Sequence, residues 1–288
     1  MREELIRPLS SGASLKKQID ASKSNPQEDS FDIWWLGQSG FLIQWNGYCL
    51  LLDPYLSDSL TVKYANTDKP HVRLSERVID PSLLNNIDIV TSSHNHTDHL
   101  DADTLNPLMK VNPQIRFIIP EANREFVCDR IRCDRGYPIG LNDKESVVVH
   151  PFTFFGIPSA HNEIERDPEG RCKFMGFVVR FGSFNVYHSG DTLLYEGLDS
   201  LLKPFKIDLA LLPINGNVPS RRVAGNMNAE EAVWLAKEIG AALVIPHHYN
   251  MFAFNTADPE LFATAAKREG QPHKVLQLGE NITFKKAL

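Results

Sequence analysis

The heptapeptide SHNHTDH, residues 93–99, places three histidines and an aspartate within seven positions. His94 and His96 are two apart, so an extended turn puts both on one side, and Asp98 and His99 follow directly. Imidazole nitrogen and carboxylate oxygen together suit a divalent transition metal. Solvated loop histidines explain a lone histidine well, but explain H-x-H-x-D-H at the end of an apolar run poorly. Four adjacent ligands cannot close one tetrahedral site and also leave a position open for chemistry. Two metals resolve the crowding, with His94 and His96 serving one, and Asp98 and His99 the other. Each metal then needs ligands from elsewhere. Three apolar runs end in candidates: His161 in PSAHNE, Asp191 in YHSGDT, and His247 or His248 in IPHHYN.

Strands must deliver these side chains. IDIVTS reads as a buried strand running into SHNHTDH. GFLIQW and YCLLLD flank Asn46-Gly47, the strongest short hairpin signal. IRFIIP reads as a strand with a helix following from Glu121. VVVHPFTFF, KFMGFVVRF, FNVYHSGD, IDLALLP, ALVIP and a last strand, KVLQL, complete the set. NAEEAVWLAKEIG reads as a helix capped by Asn228 with Glu231 at N3. Its buried face is Ala232, Leu235, Ala236 and Ile239, and Gly240 stops it. DPELFATAAKRE reads as another helix. Residues 55–80 are mixed and charged without a clean period, and are expected to run over one face as a lid. Residues 1–30 read as a polar lead-in packed on the domain that follows, 31–288.

One long-range echo stands out. GFLIQW-NG-YCLLLD ends at Asp53, and GFVVRF-GS-FNVYHSGD ends at Asp191. The echo suggests two related halves, each delivering an aspartate to the same edge of its sheet.

The 288 residues are 42% hydrophobic, enough for a large core, and carry a formal charge of −6. That balance argues against a nucleic-acid partner, since no positive field draws phosphates in. The first twenty residues have no apolar h-region and no stretch approaches a membrane span, so a cytoplasmic protein without a membrane partner is expected. Cys49, Cys128, Cys133 and Cys172 are few and scattered, which fits reduced thiols.

HNHTDH, then SAH, then HSGD, then a histidine after an Ile-Pro strand end, in that order, resembles the metallo-β-lactamase superfamily. WWLGQSG (34–40), SHNHTDHLD (93–101), YHSGDT (187–192), the IDLALLP to NMNAEEA segment, and IPHHYN followed by ADPE (257–260) are similar to its L-ascorbate-6-phosphate lactonase branch. The resemblance implies an α/β (α+β) fold, a four-layer αββα sandwich of two mixed sheets flanked by helices, with a metal pair at one edge. Carried over by motif, His94, His96 and His161 hold the first metal. Asp98, His99 and His248 hold the second, and Asp191 bridges. The superfamily pattern of Pro, any residue, His selects His248 over His247. The chain is shorter than the phosphorylated-lactone enzymes of that branch, and its His161 motif is fuller.

Around the ligands, Asp53 is a candidate to accept hydrogen bonds from the histidine loop, or caps the turn before Pro54. His188 reads either as a support for Asp191 or as an inward strand residue. Arg221 and Arg222, before the capped helix, and Lys69, His71 and Arg73, in the lid, are candidates to hold a substrate phosphate or carboxylate.

The implied reaction uses hydroxide bridging two divalent ions, zinc or manganese with iron admitted by the same donors, to open a small, anionic, phosphorylated sugar-type lactone or related ester. Asp98 would orient that hydroxide and move the proton afterwards. The expected partner is a small molecule, and self-association into a homo-oligomer is compatible with it. A phosphodiesterase of the same fold, similar to the N-acylphosphatidylethanolamine phospholipase D branch, is the alternative. A non-catalytic metal-binding protein is the second.

Overall fold

The computed structural model describes residues 4–286. Its chain enters through helix α1 (Gly12–Lys23), which buries Leu15 and Ile19, leaves Lys17 in solvent, and pairs the half-buried Lys16 and Lys23 with Asp20 and Asp88. Residues 1–3 of the expected lead-in and 287–288 at the other end lie outside the described residues. Strand β1 (Ser30–Gly37) turns back into β2 (Gly40–Trp45). Asn46 and Gly47, both at positive φ, close β2 onto β3 (Tyr48–Leu52) in the two-residue hairpin the sequence predicts. Beyond a short helix, α2 (Ser59–Tyr64), the chain makes β4 (Ile89–Thr91), α3 (Ala102–Val111), β5 (Arg116–Pro120), α4 (Arg124–Ile131) and β6 (Ile139–Leu141).

The first sheet has the order β13-β1-β2-β3-β4-β5-β6, where β13 is Asn281–Lys285. Strands β1 to β3 are antiparallel, and β3 to β6 run parallel. The second sheet is built from β7 (Ser146–Val149), β8 (Phe152–Pro158), β9 (Met175–Phe181), β10 (Phe184–His188), β11 (Leu209–Pro213) and β12 (Leu243–His247), in the order β12-β11-β10-β9-β8-β7. Again an antiparallel run, β7 to β10, hands over to parallel strands, β10 to β12. The two echoed hairpins, β2–β3 and β9–β10, therefore occupy equivalent places in the two sheets, just before the change to parallel pairing.

The sheets face each other across a dry interior. Phe31 of β1 meets Phe181 and Phe184 edge-on, at 5.2 and 5.0 Å between ring centroids. Trp45 lies 5.4 Å from Phe181. Truncating one such buried ring to alanine costs about 3–5 kcal/mol. Strands covered on both faces need apolar residues at every position, which is why β5 beyond the exposed Arg116 and all of β11 read as unbroken runs, FIIP and LALLP. The remaining helices, α5 (Leu198–Leu202), α6 (Ala229–Glu238) and α7 (Pro259–Glu269), lie on the outside with α6 against β11 and β12. Helix α6 has the expected cap, since the Asn228 side chain accepts from Glu231 N–H and the Glu231 carboxylate accepts from Asn228 N–H. The result is the α/β, four-layer sandwich of two mixed sheets flanked by helices.

Two strand expectations need correction. VVVHPFTFF is a hairpin, β7 and β8, because Pro151 cannot donate to a ladder and marks the turn. KVLQL forms no strand; only a bridge between Val244 and His273 touches β12, and the last strand is NITFK, which begins seven residues after KVLQL does. Among the described residues no helix is long and apolar enough to cross a membrane.

Candidate metal centre

The ends of β3, β4, β8, β10 and β12 meet at one edge of the sandwich, together with the β1–β2 turn. The carboxyl ends of parallel strands are where open α/β sheets expose their crevices. SHNHTDH leaves β4 there, with His161 arriving after β8, Asp191 after β10, and His248 after β12. Two groups of donor atoms result. His94, His96, His161 and Asp191 form one, and Asp98, His99, Asp191 and His248 the other, with the donors in each within 4.8 Å of one another. Asp191 belongs to both groups. Its Oδ1 lies 2.7 Å from His248 Nε2 and 3.2 Å from His99 Nε2, while Oδ2 lies 3.7 Å from His161 Nε2.

The donor set fits divalent cations on an observation of its own. The Nε2 atoms of His94, His99 and His248 and Oδ1 of Asp191 are buried with no hydrogen-bond partner outside the donor cluster itself. Buried polar atoms are nearly always satisfied, and four unsatisfied ones converging here are what cation donors look like without their cation. The opposite ring nitrogens are occupied, which fixes how the rings face. His99 Nδ1 pairs with Asp53 Oδ2 at 2.8 Å, His161 Nδ1 with Gly225 O at 2.8 Å, and His94 Nδ1 with Ser93 Oγ at 3.0 Å.

Electrostatics prepare the same donors. Burial, then the neighbouring His99 and His96, holds His94 well below the usual imidazole value, so its lone pair is free. Burial works against ionising Asp191, but the charges of His248 and His99 outweigh it and hold the carboxyl well below its usual range. Burial disfavours charge on His99 too, yet Asp191 and Asp98 pull it well above its usual value. A cation in that position would replace the proton the carboxylates attract.

Asp53 is fully buried behind the histidine loop. Besides His99, it accepts from the Ser93 N–H at 3.0 and 3.1 Å and from Thr91 Oγ1 at 2.8 Å. The echoed aspartates thus bracket one ring: Asp53 faces His99 Nδ1 and Asp191 faces His99 Nε2. His188 is an inward strand residue. Its Nε2 donates to Ser39 O at 2.9 Å, its Nδ1 accepts from Gly190 N–H at 3.3 Å, and its ring stacks on His247. His247 turns to Ser39 Oγ, 3.2 Å away, and not toward Asp191.

A cavity of about 450 Å³ opens onto the donors, lined by Lys63, Tyr64 and Lys69 from the segment between β3 and β4, Phe126 and Arg130 from α4, and Phe252. Lys69 and His71 line it, with Lys69 Nζ donating to the Arg222 carbonyl, but Arg73, Arg221 and Arg222 are not among its lining residues. Arg73 donates to the carbonyls of Ser75 and Ser57, and Arg221 to those of Asn215 and Thr256. Arg222 pairs with Asp68 outside the cavity. Arginine donors serve backbone carbonyls as readily as ligands, so their charge alone did not tell which way they face.

Sequence reading missed two residues here. Phe174 packs on the rings of His94, His96 and His161, with centroids 5.0 to 5.6 Å apart. Gln38, 1% exposed in the β1–β2 turn, touches both Asp98 and His248. A polar residue inside the apolar WWLGQSG was the available signal.

Comparison with known proteins agrees with this geometry. A model of the β-lactamase superfamily domain matches residues 32–248. A UPF0173 metal-dependent hydrolase of Nanoarchaeum equitans is 31% identical over 71% of this chain and 90% of its own length. One from Saccharolobus solfataricus is 28% identical over 87% of this chain and 98% of its own. Among solved structures, a metallo hydrolase of Ignicoccus hospitalis superposes with a TM-score of 0.65 over 90% of this chain and all of its own, at 23% identity, a likeness of fold. Seven donors in two groups, the αββα frame and these matches lead to one conclusion: the chain belongs to the β-lactamase superfamily, within the UPF0173 family of metal-dependent hydrolases.

Proposed function

We propose that this hydrolase opens a small anionic lactone or related ester, using two divalent ions held by the seven donors. The observation that carries the reading is the cavity, whose lining joins Lys63 and Lys69 to His96, Asp98, His161, Asp191 and His248 of the donor cluster. Cationic side chains and metal-donor side chains lining one cavity suit a substrate with an anionic tail and a carbonyl head. The resemblance of WWLGQSG, SHNHTDHLD and YHSGDT to the lactonase branch supports a lactone ring as that head.

When bound, divalent ions supply a nucleophile at neutral pH by lowering the pKa of water to about 7, and polarise the substrate oxygen. His94, His96 and His161 would hold one ion, Asp98, His99 and His248 the other, and Asp191 both. Nitrogen and oxygen donors without thiolate accept zinc, manganese or iron. Asp98 lies at the cavity wall, where its carboxylate can orient the attacking water and carry its proton to the leaving alkoxide. Tyr64, Phe126 and Phe252 provide apolar walls that limit water around the reacting ester. In a lactone the leaving oxygen stays tethered, so the product is a hydroxy acid.

The test is a panel of phosphorylated and neutral lactones beside bis(4-nitrophenyl) phosphate, run on one preparation whose metal content is measured. Turnover of anionic lactones is expected, with KM several-fold higher in Lys63→Ala and Lys69→Ala and kcat little changed. Turnover of the phosphodiester alone would replace this reading with the phosphodiesterase.

A further inference from the structure

One buried side chain touches two donors of the Asp98, His99, His248 group without being a donor itself. Gln38 stands at φ 50° in the β1–β2 turn. That turn is fixed through its backbone. Trp35 Nε1 donates to the Gln38 carbonyl at 3.0 Å, and His248 N–H donates to the same oxygen at 3.2 Å. From this anchor the carboxamide nitrogen reaches Asp98 Oδ2 at 2.8 Å and His248 Nδ1 at 3.0 Å. Its Oε1 is buried without a partner.

We propose that Gln38 is the positioning residue for the ion held by Asp98, His99 and His248, and sets that ion's affinity apart from its neighbour's. The proposal rests on the two-ion reading above. An imidazole that gives Nε2 to a cation keeps its proton on Nδ1, and the group facing Nδ1 fixes ring and proton. For His99 that group is the Asp53 carboxylate, and for His161 the Gly225 carbonyl, both of which only accept. For His248 it is a carboxamide, which offers either a donor or an acceptor as it turns about its last bond. With nitrogen toward the pair, Gln38 donates to Asp98 and to His248 Nδ1, which leaves the His248 proton on Nε2, facing Asp191 Oδ1. With the carboxamide turned so that its nitrogen keeps Asp98 Oδ2 and Oε1 faces His248, it accepts Nδ1–H and frees Nε2 for the cation. The residue at position 38 therefore tunes one ion and not the other.

The experiment is a titration of the metal-stripped full chain with Co²⁺. It reads bound metal and visible absorption at each equivalent, and the thermal midpoint of the stripped protein. Gln38→Met matches the length without hydrogen bonding. It is expected to weaken one equivalent by about ten- to a hundredfold, the range for groups that orient ligands. The other equivalent keeps its affinity and its absorption bands, and the stripped midpoint stays native. Gln38→Glu keeps an acceptor for Nδ1 but sets a second carboxylate against Asp98, so it too is expected to change the affinity of that equivalent and not of the other. Ser39→Ala, which touches His247 instead, should bind both equivalents as the native chain does. Native affinities in Gln38→Met, or equal weakening of both equivalents, would each overturn the proposal. If the native chain takes up only one equivalent, the two-ion reading itself falls, and no variant will show a second.

Discussion

At the scale of single residues, the donors were legible because their chemistry is expensive. Buried histidines and aspartates are tolerated only when paired or ligating, so H-x-H-x-D-H declared itself without any fold. Asp53 was harder, since a lone aspartate before proline is commonplace in turns. Its role depends on where β3 ends relative to β4, which no local pattern states. The geometry now makes it testable. Asp53→Asn keeps the shape but offers His99 Nδ1 a poorer acceptor, and metal affinity is expected to fall about ten- to a hundredfold. The pH sense follows from the carboxyl being held below its ordinary 3.8: burial opposes ionisation, and His99 chiefly outweighs it. A depressed acid contributes its full stabilisation above the unfolded value and loses it as pH falls through the lower folded value. The deficit of Asp53→Asn should thus be constant across neutral pH and vanish only in acid, which competitive chelator titrations at several pH values would measure. A deficit that shrinks between pH 6 and 8 would count against this role.

At the scale of elements, the two hairpins carry the site, and close approach between their loops is what aligns it. Gly190 sits at φ 57° in the HSGD loop after β10. A Cβ there would meet the Ser93 side chain at 2.7 Å and Met175 O at 3.0 Å. Ser93 holds His94 and, through its N–H, Asp53. Gly190→Ala is therefore expected to destabilise by about 1–3 kcal/mol through overpacking, and to lower metal content at the same time. Denaturant unfolding and elemental analysis on one sample would check both, and full occupancy in a destabilised protein would show that the loop contact serves only the fold. This dependence on approach explains what the sequence did and did not disclose. The echo of the hairpins, the Asn228 cap and the buried strands rest on local rules and were readable. Arg130, whose guanidinium bonds the carbonyls of Asn95 and Leu100 beside the donors, was not, because α4 meets the histidine loop only through the fold. KVLQL was misread because an apolar run beside β12 finds a single bridge there and not a ladder.

At the scale of the whole molecule, the donors are divided between the two sheets. The first sheet supplies His94, His96, Asp98 and His99, and the second supplies His161, Asp191 and His248. The protein itself already joins the sheets beside the site, where Met175 N–H donates to Ser93 O at 3.1 Å. Cations on this shared set bind only when both sheets are in place, so occupancy stabilises the folded state and not the unfolded chain. For one site, free metal at a hundred times its dissociation constant adds about 2.7 kcal/mol. Each kcal/mol shifts the melting midpoint of a chain of this order by roughly 2–4 °C, so stripping with a chelator should lower it by about 5–10 °C. The shift should grow with the logarithm of free metal and reverse on adding metal back. Calorimetry across a buffered metal series gives the slope, and in Asp191→Ala, which removes the shared carboxylate, that slope should be smaller. A midpoint indifferent to free metal would mean that the sheets hold the seven donors in place for something other than a cation.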